Sequence, residues 1–206
     1  MMNRQYFLDD IDRAAKGLLG SLFIKKTDLG KELSGRIVEV EVYTQKDDPA
    51  SHSYKGQTKR NAVMFGPPGY LYVYFTYGMH YCCNIVCGPE GRGDAILIRG
   101  VEPVDGIDTM MINRYGSIIE DRRKYNNLTN GPAKLCRALG IDMTVNGADL
   151  FDGALRIEHD VVLSDELIGR STRIGISSAA DQFKRYFIKG NNWVSKAGKG
   201  IKYYDK

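Results

Sequence analysis

The sequence predicts an α+β fold, with one domain spanning residues 1–206 and built on a curved, mainly antiparallel β-sheet with α-helices around it. Three observations lead to this prediction. Short runs of β-branched, aromatic and alternating residues recur with turn-forming residues between them, as in hairpins. Two segments carry apolar residues at helical spacing and end at a glycine. The 206 residues can enclose one substantial core, and no repeat or linker divides them.

The N-terminal part of the chain is predicted to be a helix followed by a hairpin. Asp9 or Asp10 can cap the helix, which has apolar residues at helical spacing and ends near Gly20. Residues 21–26 and 33–43 then have the composition of two strands, and a tight turn separates them. We therefore expect an antiparallel pair packed against the first helix.

The middle of the chain is predicted to hold a polar loop and three further strands. Residues 44–57 are rich in turn formers and form a surface loop, after which Thr58 can cap a short helix through Met64. The sequence GPPG at 66–69 then breaks the chain. The three strands are expected at residues 70–78, 81–87 and 94–101.

The second half is predicted to contain two more helices and several short strands. Residues 108–119 have a helical pattern, and residues 120–128 form a charged surface segment. A clear start signal at 129–132, with Pro132 in the first turn, opens a helix that stops at Gly140. Beyond it, short strands alternate with turns, and the chain ends in a basic tail.

Composition favours an intracellular protein and permits a nucleic-acid partner without requiring one, since the net charge is +4. The N-terminal stretch lacks the apolar region of a secretory signal, and no run of about 18 apolar residues predicts a membrane span. The four cysteines lack the spacing of a zinc site, so we expect buried structural thiols in a reducing compartment. They are Cys82, Cys83, Cys87 and Cys136.

The strand at 37–43 contains the most unusual feature of the sequence. Side chains alternate between the faces of a strand, so Glu39, Glu41 and Tyr43 share one face while three valines share the other. Two carboxylates on a core-type strand are unfavourable to bury without partners. Such a local conflict is typical of a functional site. The alternative, a solvated face on a half-exposed strand, stays open at this point.

Arg99 lies in the apolar strand AILIR and needs an anionic partner if it is buried. Glu39 or Glu41 could supply it, and a carboxylate held by arginine stays ionised, as a general base for water requires. A plain core ion pair is the competing interpretation. The two adjacent acids do not match a glycosidase pair, which flanks the scissile bond from two sides.

The tyrosine-rich strand and its neighbours add candidates for a binding pocket. Tyr74 shares a face with two other tyrosines, which indicates either core packing or an aromatic pocket wall. Tyr77 precedes Gly78 at the strand end, where a large side chain can project as a wedge between bases. His52 is either a surface histidine or a pocket or phosphate contact. Asn84 is either a core amide or a reader of a base edge.

Several segments together resemble the alkyladenine (3-methyladenine) DNA glycosylase family. They are GRIVEVEVY, KRN, MFGPPGYLYVYFTYGMHYCCN, ILIRGVEP and NGPAKLCRALGI, and the similarity extends to RYFIKGNNWVS near the C-terminus. The resemblance implies a monofunctional hydrolase of N-glycosyl bonds in base-excision DNA repair, without lyase activity, metal or other cofactor. Its substrates would be 3-methyladenine and 7-methylguanine, with hypoxanthine and ethenoadenine as further candidates.

The resemblance also implies roles for individual residues. Glu41 would deprotonate the attacking water, and Arg99 would position that carboxylate and the water. Asn84 would disfavour normal guanine by clashing with its exocyclic amine, and Tyr77 would be inserted through the minor groove into the space of the flipped base. The residues expected to stack on or contact the flipped base are Tyr43, His52 and Tyr74.

The partner implied is double-stranded DNA carrying alkylated or deaminated purines, with no membrane partner, and the protein is expected to be a monomer. Backbone contacts are expected from Lys55, Lys59, Arg60 and Lys134, although each alone is as typical of a plain solvated charge. The location would be cytoplasmic, with the nucleoid if bacterial, or nuclear if eukaryotic. A non-catalytic nucleic-acid-binding module and a hydrolase of free nucleosides are the rival interpretations.

Overall fold

A computed structural model describes residues 3–76 and 78–204. Its strands join one curled sheet in which every pairing is antiparallel, so the α+β prediction is confirmed. The strands are β1 (Leu22–Lys26), β2 (Glu32–Tyr43), β3 (Leu71–Thr76), β4 (His80–Cys87), β5 (Asp94–Asp105), β6 (Leu155–Glu158), β7 (Ile168–Ser171) and β8 (Arg185–Ile188). The helices are α1 (Ile11–Leu18), α2 (Ile107–Tyr115), α3 (Arg122–Tyr125) and α4 (Pro132–Leu139).

Strand β2 is the centre of the sheet. The strand order is β3-β4-β5-β2-β1-β6, and β8 pairs with the second half of β2 and carries β7 on its other edge. The second half of β2 is therefore bounded by β5 on one side and by β8 on the other. Side chains there are shielded laterally, which suits residues that must be held in fixed positions.

The alternation predicted along β2 matches the burial. Val38, Val40 and Val42 belong to the main apolar core, where α1 and α4 pack on one face of the sheet. Helix α1 starts where predicted, because the Asp10 carboxylate accepts hydrogen bonds from the backbone N–H groups of the first turn, at 2.9 and 3.1 Å. All four cysteine thiols are free and buried, as predicted.

The pairing of β2 with β5 is irregular near the two glutamates. Glu39 faces Gly100 and Val40 faces Ile98, so Arg99 is an extra residue on β5 at this step. A bulge of this kind bends the strand and re-aims a side chain. Here the Arg99 side chain is brought to the face that carries the glutamates.

Several predicted boundaries were wrong. The short helix after the polar loop is a 3-10 turn at Ala62–Phe65, which starts four residues after Thr58 and has Asn61 at its N-cap position, so Thr58 does not cap it. Helix α2 ends at Tyr115 because Gly116 adopts a left-handed conformation, φ 80°, and stops it four residues early. Residues 120–128 contain the short helix α3.

No helix within the described part of the chain is long and apolar enough to cross a membrane.

Candidate active site

A cavity of about 350 Å³ opens on the sheet face opposite the main core. It collects side chains from β2 to β5 and from two loops, and it contains five of the residues that the sequence singled out. These are Tyr43, His52, Tyr74, Asn84 and Arg99. The remaining lining residues are Ala50, Met64, Tyr72, Thr76, Cys82, Leu97, Pro132, Ile174, Gly175 and Ile176.

Glu41 lies directly behind this lining and is fully buried. Its Oε2 accepts a hydrogen bond from the Tyr43 hydroxyl at 2.9 Å and one from Arg99 Nη1 at 3.2 Å. Its Oε1 accepts one from the Ile174 backbone N–H at 2.7 Å. All three partners are donors, so both oxygens of the carboxylate are held by hydrogen bonds.

Arg99 joins the two glutamates, so both anionic partners considered from the sequence are used. Its Nε donates to Glu39 Oε1 at 3.0 Å, while its Nη1 reaches Glu41. Burial alone would lower the pKa of Arg99, but Glu41 and Glu39 raise it above its usual value, so the guanidinium stays charged. The two glutamates are therefore buried, and Arg99 provides the positive charge that both of them need.

Tyr43 forms the cavity wall above Glu41. Burial and the adjacent Glu41 carboxylate both raise the pKa of its hydroxyl well above the usual value, so the hydroxyl remains a donor. The Arg173 guanidinium lies over the face of this ring, with its Cζ 4.5 Å from the ring centroid. The ring is thus held at its hydroxyl and over its face.

Three aromatic rings form the second wall. The His52 ring stands edge-on to Tyr74 with 4.5 Å between centroids, and its Nδ1 lies 3.2 Å from the Tyr72 hydroxyl. Tyr72 and Tyr74 stack at 5.7 Å. Burial, and then the nearby Arg60 charge, lower the pKa of His52. This wall is therefore neutral at pH 7 and presents aromatic faces and edges to the cavity.

Asn84 and Cys82 lie at the floor between the two walls. The Asn84 Nδ2 donates to the Tyr72 carbonyl at 3.2 Å, and no described residue donates to its Oδ1. Burial raises the pKa of the Cys82 thiol to about 11, so the thiol stays protonated. The floor thus offers one amide and one neutral sulfur to a ligand.

The segment Ile174–Ile176, which follows β7, closes the cavity and was missed in the sequence. Arg173, just before it, is buried and forms a bidentate ion pair with Asp48 at 2.6 and 2.7 Å. No local pattern could reveal this contact, because 125 residues separate the partners. The only sequence signal for this segment was an arginine close to two isoleucines in the sequence RIGIS, which starts at Arg173.

The predicted phosphate contacts occupy different environments. Lys55, Lys59 and Arg60 are exposed on the loop beside the cavity, and Arg60 donates to the Phe75 carbonyl at 3.1 Å. Lys134, expected on a loop, is instead on α4. Its ammonium donates to the Asn127 and Asn130 side chains at 2.5 and 2.8 Å.

Tyr77 lies outside the described residues, so its predicted insertion stays a prediction. On either side of it, Phe75 and Met79 are apolar and exposed, at 44% and 70% of their maximal surface. Among the described residues, no group of three or more His, Cys, Asp or Glu side chains could hold a metal ion.

The chain is similar to known proteins over most of its length. A family model described as methylpurine-DNA glycosylase (MPG) matches residues 5–192. A protein of Carboxydothermus hydrogenoformans is 46% identical over 197 residues, covering 95% of this chain and 99% of its own. A protein of Methanoculleus marisnigri is 45% identical over 194 residues, covering 93% and 96%. Both are provisionally named 3-methyladenine DNA glycosylase. The chain therefore belongs to the methylpurine-DNA glycosylase family and is a DNA glycosylase, a hydrolase of N-glycosyl bonds.

Proposed function

We propose that this glycosylase rotates alkylated purines out of duplex DNA into the cavity and hydrolyses the glycosidic bond with a water activated by Glu41. The observation that carries the proposal is the hydrogen bonding of Glu41. A carboxylate accepts about four hydrogen bonds. Three described donors occupy Glu41, two of them on Oε2, which leaves one position on Oε1. A water at that position would have a general base within reach.

Arg99 and Tyr43 prepare Glu41 for this role. Both donate to Oε2, so they orient the carboxylate and compensate its charge without using the free position on Oε1. As the glycosidic bond breaks, the sugar gains oxocarbenium-like positive charge. A fixed, ionised carboxylate stabilises such a charge without reorganisation.

The aromatic walls explain a preference for alkylated purines. Alkylation of a ring nitrogen makes the base cationic, and Tyr43 and Tyr74 both face the cavity. Attraction between a cation and an aromatic face is worth about 0.5–2 kcal/mol. A cationic base is also a good leaving group. We therefore place 3-methyladenine and 7-methylguanine first, and hypoxanthine and ethenoadenine as further substrates.

Discrimination against normal guanine would come from Asn84. It lies at the cavity floor, and its Nδ2 is already committed to the Tyr72 carbonyl. The amide is thus held in place where an exocyclic amine on the base would clash with it. The 2-amino group of guanine is absent from adenine derivatives but is kept by 7-methylguanine, for which the attraction of the cationic ring to the aromatic walls would have to outweigh the clash.

Base rotation requires a group that enters the duplex. Phe75 and Met79, two residues before and two residues after Tyr77, are apolar and exposed. Apolar wedges of this kind unstack base steps. Stacking of an aromatic side chain on a base is worth about 1–3 kcal/mol, which offsets part of the few kcal/mol needed to extrude a base. Tyr77 is our candidate for this wedge.

Hydrolysis without a lyase step fits the cavity lining, where the described residues include no lysine that could form a Schiff base. The product would be a free base and an intact strand with an abasic site.

The test is single-turnover release of 7-methylguanine or 3-methyladenine from a duplex. We expect Glu41→Gln to lower the rate by about 10²-fold or more, since general base catalysis contributes 10²–10⁴-fold. Glu102→Gln is the matched control. Glu102 is on β5, accepts a hydrogen bond from Asn191 and does not line the cavity. Wild-type release together with full activity of folded Glu41→Gln would eliminate Glu41 as the base.

A further inference from the structure

The buried ion pair between Arg173 and Asp48 does not line the cavity, yet it contacts residues that surround Glu41 behind the lining. Both side chains are fully shielded from solvent. The two Nη atoms of Arg173 bind the two Asp48 oxygens at 2.6 and 2.7 Å, in the planar two-point geometry that only arginine provides. The pair joins the loop after β2 to the segment after β7.

Three contacts connect Arg173 with the candidate catalytic residues. Its Nη1 also donates to the Val42 carbonyl at 2.9 Å, on the strand between Glu41 and Tyr43. Its guanidinium lies over the Tyr43 ring, 4.5 Å from the centroid. The next residue, Ile174, donates its backbone N–H to Glu41 Oε1 at 2.7 Å. A shift of Arg173 would therefore move the Ile174 N–H, which binds Oε1 of Glu41. This is the oxygen that keeps one accepting position for a water.

Asp48 is itself fixed by the loop. Its oxygens accept from the Thr44 and Ala50 backbone N–H groups at 3.2 and 3.3 Å, and Lys184 lies 3.6 Å away. Ala50 lines the cavity, and His52 follows two residues later. The ion pair is thus tied to both cavity walls.

We propose that Arg173 and Asp48 are positioning residues for catalysis, which hold the Ile174 N–H against Glu41 and the Tyr43 ring at the cavity wall. This inference rests on the role of Glu41 given above. Neither residue touches the substrate. They act through the orientation of Glu41 and Tyr43.

Stability alone does not account for this arrangement. Burying two charges is unfavourable, and replacing a buried ion pair by apolar residues is often neutral or stabilising. In addition, Arg173 Nε is buried without a hydrogen-bond partner among the described residues. An apolar pair would fill the same space but could not fix the Ile174 N–H, the Val42 carbonyl and the Tyr43 ring together.

The experiment compares three properties of the double variant Asp48→Leu/Arg173→Met with those of the wild type. They are the thermal midpoint, the Kd for a lesion duplex, and the single-turnover rate of base release. Because both charges are removed together, no unpaired charge stays buried. We expect a folded protein whose Kd changes less than threefold and whose release rate falls at least tenfold. A release rate within twofold of wild type would overturn the proposal.

Arg173→Lys covers the case in which the double variant does not fold. Lysine keeps the charge beside Asp48 but cannot form the two-point contact or lie flat on Tyr43. We expect a release rate severalfold below that of the wild type at unchanged Kd. A Lys variant as fast as wild type, or a loss confined to Kd, would contradict a positioning role.

Two further proteins separate this inference from its premise. The control Asp149→Leu/Arg4→Met removes an ion pair that neither lines the cavity nor hydrogen-bonds to Glu41, and its release rate should stay at the wild-type value. Glu41→Gln is assayed in parallel. If it releases base normally, the proposed function fails and this inference with it. If it is inactive while the Asp48/Arg173 variant is fully active, only this inference fails.

Discussion

Two glutamates two residues apart share a strand face and an arginine, yet their hydrogen bonds assign them different tasks. Glu39 accepts from Arg99, Arg185 and from both the hydroxyl and the N–H of Ser195. Three of these donors bind Oε1 and one binds Oε2, and two of the partner residues, Arg185 and Ser195, do not line the cavity, whereas all three described partners of Glu41 do. Burial alone would raise the pKa of Glu39, but Arg99 and Arg185 bring it below the usual value. We therefore propose that Glu39 is a structural anion and that Glu41 is the base.

We predict that Glu39→Gln affects stability more than chemistry. The change leaves the buried Arg185 guanidinium without its charge partner, and breaking a buried pair costs about 3–5 kcal/mol. Urea unfolding should show this loss, while the folded fraction still releases base. Unchanged stability, or a folded variant as inactive as Glu41→Gln, would contradict the assignment.

His52 predicts how recognition of cationic bases depends on pH. Its pKa is lowered, so the ring is neutral at pH 7 and gains a proton only below its ordinary value of about 6.5. A protonated His52 would repel a cationic base in the cavity. With Glu41→Gln, to prevent turnover, we expect affinity for a 7-methylguanine duplex to fall severalfold between pH 7 and 5, relative to a duplex with an abasic-site analogue.

The control for this prediction is His52→Asn in the same background, which should abolish that relative change. If the relative affinity falls equally between pH 7 and 5 in the His52→Asn variant, another titrating group is responsible for the change.

At the level of elements, regular features could be predicted and irregular ones could not. The alternation along β2, the hairpin and the Asp10 cap follow from local rules, so they were found. The bulge at Arg99 and the contact of Arg173 with Asp48 depend on packing between distant segments. Local periodicity carries no information about either. Five side chains that line the cavity could therefore be named from the sequence, but the segment that closes the cavity could not.

Gly100 shows how closely the elements around Glu39 approach one another. A Cβ at this position would lie 2.8 Å from the Trp193 carbonyl oxygen and 3.4 Å from Glu39 Oε2. We expect Gly100→Ala to lower the free energy of unfolding by about 1–3 kcal/mol through overpacking, as measured by urea unfolding. Gly198→Ala is the control, since nothing lies within 4 Å of its added Cβ. Equal stabilities of the two variants would refute this.

At the scale of the whole molecule, the cations beside the cavity should determine the salt dependence of DNA binding. Each phosphate contact contributes about 0.9 to the slope of log K against log salt. We expect Arg60→Gln or Lys134→Gln to reduce the slope by about 1 without changing lesion preference. Lys31→Gln is the control. Lys31 lies just before the start of β2, whereas the cavity residue Tyr43 is at the end of that strand. A slope unaffected by Arg60 and Lys134 would remove them from the interface.

The buried carboxylates also determine how the whole fold responds to acid. Burial alone would raise the pKa values of Glu39 and Asp48, but their arginine partners bring both below the usual range. When the folded pKa lies below the unfolded one, the stabilisation is complete above the unfolded value, about 3.9–4.3, and is lost as the pH falls towards the folded value. We therefore expect the free energy of unfolding to be nearly constant from pH 7 to 5 and to fall steeply below pH 4.

Urea unfolding at stepped pH values measures this dependence, and the Asp48→Leu/Arg173→Met variant provides the control. That variant lacks one of the two carboxylates, so its stability should fall less between pH 5 and 3 than that of the wild type. Equal acid sensitivity of the two proteins would mean that Asp48 contributes nothing to it. Stability that rises on acidification would reverse the sign derived from the lowered pKa values, and the ion pairs behind the cavity would then not be the source of the acid response.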